Sequence, residues 1–208
     1  TENNTGPSLS KWFWVFYTAQ GLGFLAKGPI VQLVPLLTLI LLRWAFWRRP
    51  VSLKPLHLHL GLPLALLIIA AWGVPALLAS DGLFWSKGFN RHVVQRGLEP
   101  FNDRSFIPFF YLLTAFFSFY PWISFAADGW QLLRSRWTFD NAYLVSWLAA
   151  PYLIFSFYAT QLPHYVLPAF PAFFLILAQT LDLSAPTRKW SQWWFRIVTL
   201  LPLTAAAA

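Results

Sequence analysis

Cysteine and methionine are both absent from this chain of 208 residues. Without cysteine, the chain forms neither a disulfide framework nor a cysteine-ligated metal site. Methionine is missing even at position 1, where the sequence starts with a polar run from Thr1 to Ser10. The sequence stops at Ala208, inside an apolar segment. We therefore expect the chain to be an excised portion of a longer protein.

Charged residues are scarce, at 11% of the sequence, whereas hydrophobic residues make up 58% and aromatic residues 20%. Soluble domains carry about 25% charged residues. A protein surrounded by lipid does not need a polar outer surface, and its helices satisfy their own backbone groups. The composition therefore excludes an ordinary soluble domain and predicts an all-α integral membrane protein.

Seven apolar runs approach the length that crosses about 30 Å of hydrocarbon. They cover residues 12–26, 29–47, 58–79, 107–127, 142–158, 165–181 and 194–208. The sequence thus predicts a polytopic bundle of about seven transmembrane helices. We expect residues 1–208 to form a single transmembrane domain.

The segments between these runs alternate in charge, although the net charge of +8 alone could suggest nucleic acid binding. One alternating set holds ten of the fifteen cations: Lys11, Arg43, Arg48, Arg49, Lys54, Arg134, Arg136, Arg188, Lys189 and Arg196. Cytoplasmic loops of membrane proteins carry the excess of Lys and Arg. The pattern therefore predicts a multi-pass protein of a bacterial cytoplasmic (inner) membrane, with no nucleic-acid partner.

The longest outward segment, residues 80–106, combines an apolar face with a basic one. Trp85, Phe89 and Val93 recur every four residues and share one face of a predicted helix. His92 and Arg96 lie on a neighbouring stripe. This pattern predicts a juxtamembrane helix in the membrane interface. Its basic side either binds an anionic group such as a lipid phosphate or anchors the helix among headgroups.

Two shorter turns on the same side carry further polar groups. Lys27 precedes a Gly-Pro pair at a predicted tight turn, where its amine either snorkels to water or meets an anion. His164 and Tyr165 follow a Gln-Leu-Pro sequence and place hydrogen-bonding groups at the interface, where tyrosine is commonly an anchor. The four histidines have no matching acidic cluster, so we predict no metal site in this chain.

Three stretches together resemble the lipid-linked-sugar glycosyltransferases of the C-type membrane fold, the group of protein O-mannosyltransferases and aminoarabinose transferases. They read GLGFLAKGP at 21–29, IPFFY at 107–111 with YPW at 120–122, and FSFYATQLPHYVLPAFP at 155–171. The third is the most specific, and their order and spacing extend over most of the chain. The resemblance implies that the chain is the C-terminal membrane portion of such an enzyme.

The resemblance also implies a reaction: transfer of a sugar from a polyprenyl-phosphate donor to an acceptor, either a protein or a lipid glycan, on the outer face of the membrane. The residues that match the donor-phosphate site are Lys27, Arg91, Arg96 and Tyr165, with His92 and His164 as polar neighbours. Gln161 stands where the family often has Lys, and this difference removes one cation of the family's phosphate site.

The acidic residues of the family lie in an outward loop that precedes the matching region, and nothing in this chain corresponds to them. We therefore expect the general base to lie outside this chain. Any divalent metal would belong to the complete enzyme. Membrane lipid and a larger membrane-protein complex are the further predicted partners. Two alternatives stay open: a non-catalytic glycosyltransferase-like subunit or scaffold, and a lipid or small-molecule transporter.

Overall fold

The computed structural model describes residues 9–84, 106–180 and 189–206. Regular structure in these ranges is helical, so the predicted all-α class is confirmed. The α-helices are α1 Lys11–Lys27, α2 Ile30–Leu41, α3 Leu58–Ala79, α4 Phe110–Ser118, α5 Ala126–Ser135, α6 Phe139–Ser156, α7 Phe170–Thr180 and α8 Lys189–Ala206. A π-helical turn, Leu42–Phe46, extends α2. Short 3-10 segments occupy Lys54–Leu56, Trp122–Phe125 and Pro163–Ala169.

The described residues fall into two compact units. The first is drawn from residues 1–33 and 50–99, and the second from residues 34–49 and 100–208. Helices α1 and α3 build the first unit, whereas α4 to α8 and the π-helical turn after α2 build the second.

Close backbone approach at glycine holds the first unit together. A Cβ atom at Gly61 of α3 would lie only 2.0 Å from the ring of Tyr17, and one at Gly21 of α1 would lie 2.8 Å from Cβ of Ile68. The hydroxyl of Tyr17 donates a hydrogen bond of 2.7 Å to the carbonyl of Leu56. Small residues allow membrane helices to approach closely, and α1 and α3 use this principle.

The second unit is packed around aromatic rings. Phe119 and Phe173 are buried and stacked, with their ring centroids 3.9 Å apart. Phe125 and Leu177 complete this cluster. A neighbouring cluster joins α5, α6 and α7 through Leu133, Leu144, Ala172 and Ile176. These side chains hold the long helix α6 against α7, and α6 carries the aromatic residues of the site below.

The apolar run at residues 107–127, predicted as one transmembrane helix, is broken into two helical pieces. Helix α4 ends at Ser118, and the chain resumes as a 3-10 segment and α5 after a bend of 101°. Pro121 lies in this break, and because proline has no backbone N–H it cannot continue the hydrogen bonding of α4. The predicted helix over 58–79 agrees with the bounds of α3.

One helical stretch of the described residues, Lys54–Ala79, is long and apolar enough to cross a membrane. The bent pair Phe110–Ser118 and Trp122–Ser135 also passes this test when taken together. Only 6% of the apolar window of Lys54–Ala79 is buried, and Leu66, Leu67 and Leu78 are exposed. A helix with this many exposed leucines suits contact with lipid better than contact with water.

The N-terminus of α6 offers a test of helix capping. Thr138 accepts a hydrogen bond of 3.2 Å from the backbone N–H of Asn141 through its hydroxyl oxygen. We expect Thr138→Ala to lower the free energy of unfolding by about 1 kcal/mol, because one N–H of the first turn loses its partner. Thr138→Ser keeps the hydroxyl and is the matched control. Thermal unfolding in detergent measures both, and equal midpoints for Ala and Ser would contradict this role.

Candidate donor-phosphate site

Tyr165 lies on the 3-10 segment Pro163–Ala169, in the second unit. Its ring packs against the buried ring of Phe155 with centroids 4.8 Å apart, and against Tyr158 at 6.2 Å. Tyr165 is half-buried, and its ring is also in edge contact with His164, whose side chain is exposed. Packing on α6 therefore holds the phenol in a defined place while its hydroxyl makes no hydrogen bond within the described residues.

The turn that precedes Tyr165 is fastened to the segment that leads into α4. The side-chain amide of Gln161 donates to the carbonyl of Ile107 at 3.0 Å and accepts from the N–H of Ile107 at 2.9 Å. We call the doubly hydrogen-bonded pair of Gln161 and Ile107 the amide clamp. Sequence reasoning treated Gln161 only as a lost cation, whereas the structure gives its amide two backbone partners.

Tyr111 makes a second contact to the same turn. It is buried, and its hydroxyl accepts a hydrogen bond of 3.2 Å from the backbone N–H of Leu162. Its ring lies between those of Tyr152 and Phe155, at 6.5 and 6.4 Å. Sequence reasoning did not assign a role to Tyr111. The signal was its place in the IPFFY stretch, which also contains Ile107.

Lys27 is the last residue of α1, in the first unit, and its side chain is exposed. Gly28 follows with φ 71°, and its N–H donates a 2.7 Å hydrogen bond to the carbonyl of Phe24. This left-handed backbone requires glycine, and it turns the chain from α1 into α2. The predicted tight turn is confirmed, and Lys27 lies at its start.

The remaining predicted site residues, Arg91, His92 and Arg96, lie outside the described residues, as does the predicted juxtamembrane helix. Their assignment to the donor phosphate stays a prediction, and so does that of Lys27, Tyr165 and His164. Within the described ranges, no group of three or more His, Asp or Glu side chains could hold a metal ion. The chemistry that these ranges offer is hydrogen-bond donation by a packed phenol and an exposed amine.

The fold is shared with a solved protein that binds undecaprenyl phosphate. The crystal structure of ArnT from Cupriavidus metallidurans bound to undecaprenyl phosphate has the same fold, with a TM-score of 0.72. The match covers 98% of this chain and 37% of that protein at 23% sequence identity.

Curated relatives are undecaprenyl phosphate-alpha-4-amino-4-deoxy-L-arabinose arabinosyl transferases. The protein from Pseudomonas fluorescens strain Pf-5 is 27% identical over 169 residues, which cover 78% of this chain. The protein from Erwinia tasmaniensis is 29% identical over 164 residues, which cover 77% of it. The matched region is 29% of the length of each relative. No protein-family profile matches the chain. The predicted resemblance to glycosyltransferases of the C-type membrane fold is confirmed.

Proposed function

We propose that this chain is the membrane portion of a glycosyltransferase that moves 4-amino-4-deoxy-L-arabinose from undecaprenyl phosphate to an acceptor. The observation that carries the proposal is the sequence likeness to relatives named for that transfer, which covers more than three quarters of the chain. The fold match to ArnT is in agreement with it. The acceptor is a protein or a lipid glycan on the outer face of the membrane.

We further propose that the chain is one transmembrane domain of about seven spans in the cytoplasmic membrane, with an interfacial helix in the outward loop. Four cations of the cation-rich loops each lie 5.0 to 5.6 Å from the ring of a neighbouring tryptophan, as suits side chains at a membrane interface. The pairs are Lys11 with Trp12, Arg43 with Trp44, Arg49 with Trp47 and Arg134 with Trp130. Tryptophan suits both interfaces, and the excess of Lys and Arg in these loops is what favours the cytoplasmic one.

The proposed reaction is a displacement at the anomeric carbon of the donor sugar. An acceptor oxygen forms a bond to this carbon while the bond from the carbon to the phosphate oxygen breaks. The acceptor proton passes to a general base that lies outside this chain, and undecaprenyl phosphate leaves with the bonding electrons. Negative charge therefore grows on the phosphate, where fixed donors and cations stabilise the transition state most strongly.

The chain's own residues are proposed to act on that phosphate. Arg91 and Arg96 would donate paired hydrogen bonds from their guanidinium groups, and Lys27 would supply a point charge. Tyr165, which is held in place by packing on Phe155, would donate a hydrogen bond from its hydroxyl. His92 and His164 are proposed as polar neighbours of these groups.

The test is a donor-turnover assay with the full-length protein in detergent or nanodiscs. We expect it to release undecaprenyl phosphate from synthetic undecaprenyl-phosphate-linked aminoarabinose when envelope glycolipids or proteins are supplied as acceptors. The matched control donor carries L-arabinose with a hydroxyl in place of the 4-amino group. Absence of release with every acceptor fraction would contradict the function and favour a scaffold. Donor movement across sealed vesicles without sugar transfer would favour a transporter instead.

A further inference from the structure

We infer that Gln161 is a positioning residue, which fixes the turn bearing Tyr165 to the segment that leads into α4. The inference deepens the proposed function, because its expected effect on the donor rests on that function. The amide clamp between Gln161 and Ile107 carries it. Gln161 thereby holds the turn in place, whereas a cation at this position would be expected to contact the phosphate.

The chemistry of the clamp admits few other side chains. The carboxamide of Gln161 uses a donor and an acceptor at once, since Nε2 donates to the carbonyl of Ile107 while Oε1 accepts from its N–H. A lysine ammonium only donates, and an ionised glutamate only accepts. Either replacement leaves one backbone group of Ile107 without its side-chain partner.

Hydrogen bonds connect this region directly to Tyr165. Leu162, next to Gln161, donates its N–H to the hydroxyl of Tyr111 at 3.2 Å. The carbonyl of Leu162 accepts from the backbone N–H of Tyr165 at 3.0 Å. Ile107 and Tyr111 thus hold two successive residues of the turn, and the second of these bonds to Tyr165. A shift of the turn at Gln161 would therefore move the phenol.

The clamp joins two segments that are far apart in the sequence. Ile107 lies just before α4, and Gln161 lies in the turn that precedes Tyr165. The clamp therefore attaches the segment that leads into α4 to the turn of Tyr165, across 54 residues of sequence.

A direct test uses the full-length protein with Gln161→Ala and Gln161→Lys. Two readouts are measured: hydrogen exchange of the Ile107 amide, and the Kd for undecaprenyl phosphate. We expect the Ile107 amide to exchange about tenfold faster in both variants. Its opening to water then no longer requires the hydrogen bond to Gln161 to break. We expect both to raise the Kd about tenfold, because the turn of Tyr165 is no longer held in place.

The matched control is Gln179→Ala, since the exposed side chain of Gln179 only donates within its own helix, to the carbonyl of Leu175 at 3.4 Å. It should change neither readout. Tighter undecaprenyl phosphate binding by Gln161→Lys would overturn the inference in favour of a phosphate contact, and so would wild-type exchange at Ile107 in both variants. If the wild-type protein neither bound undecaprenyl phosphate nor turned over the donor, the proposed function would fail, whereas the exchange data would still decide on the clamp.

Discussion

Replacing Tyr165 by Ala in the full-length protein is expected to lower turnover of the undecaprenyl-phosphate donor by about 10²- to 10³-fold, the effect of removing one preorganised hydrogen-bond donor from developing charge. Tyr165 is suited to this role because its ring packs on Phe155 while its hydroxyl stays available. Arg96→Ala is expected to cause a loss of similar size. The measurement is the initial rate of undecaprenyl phosphate release at saturating and at limiting donor.

Conservative variants separate the hydroxyl from the ring. Tyr165→Phe keeps the packing on Phe155 and should lose most of the same activity, because only the hydrogen-bond donor is removed. Tyr143→Phe is the matched control, since it removes a hydroxyl from α6, the helix that carries Phe155, about 18 Å along the axis from Phe155. Full activity in both Tyr165→Ala and Arg96→Ala would defeat the phosphate assignment. Full activity in Tyr165→Phe alone would reduce Tyr165 to a packing residue.

The largest expected effect on stability is at Gly61. A methyl group there would lie 2.0 Å from ring atoms of Tyr17, so α1 and α3 would have to move apart. Overpacking of this kind costs about 1–3 kcal/mol. We therefore expect Gly61→Ala to lower the free energy of unfolding by about that amount, measured by thermal or denaturant unfolding in detergent.

Gly73 gives a control in the same helix, because a Cβ atom there would meet nothing within 4 Å. Gly73→Ala should leave the stability unchanged or raise it by up to about 1 kcal/mol, since alanine loses less backbone entropy in a helix. Combining Gly61→Ala with Tyr17→Ala tests the contact itself, because removal of the ring makes room for the methyl group. An undiminished cost of Gly61→Ala in that background would show that the ring of Tyr17 is not its cause.

Local features of the site were predictable from the sequence, and long-range partners were not. The Gly-Pro turn after Lys27 was recognised because turn geometry depends on adjacent residues. The roles of Gln161 and Tyr111 were not recognised, since their partners Ile107 and Leu162 lie 54 and 51 residues away. The sharpness of the bend at Pro121 was not predictable, because membrane helices often tolerate proline and the apolar run continues through it.

The sequence by itself determined that the chain is apolar and helical, because hydropathy and helix formation are set by neighbouring residues. It also determined the bounds of α3 and the resemblance to sugar transferases. Only the tertiary structure decided that the ring of Tyr17 fills the space above Gly61, and that the amide of Gln161 holds Ile107. Such contacts join segments remote in the chain, and their geometry exists only once the helices have packed.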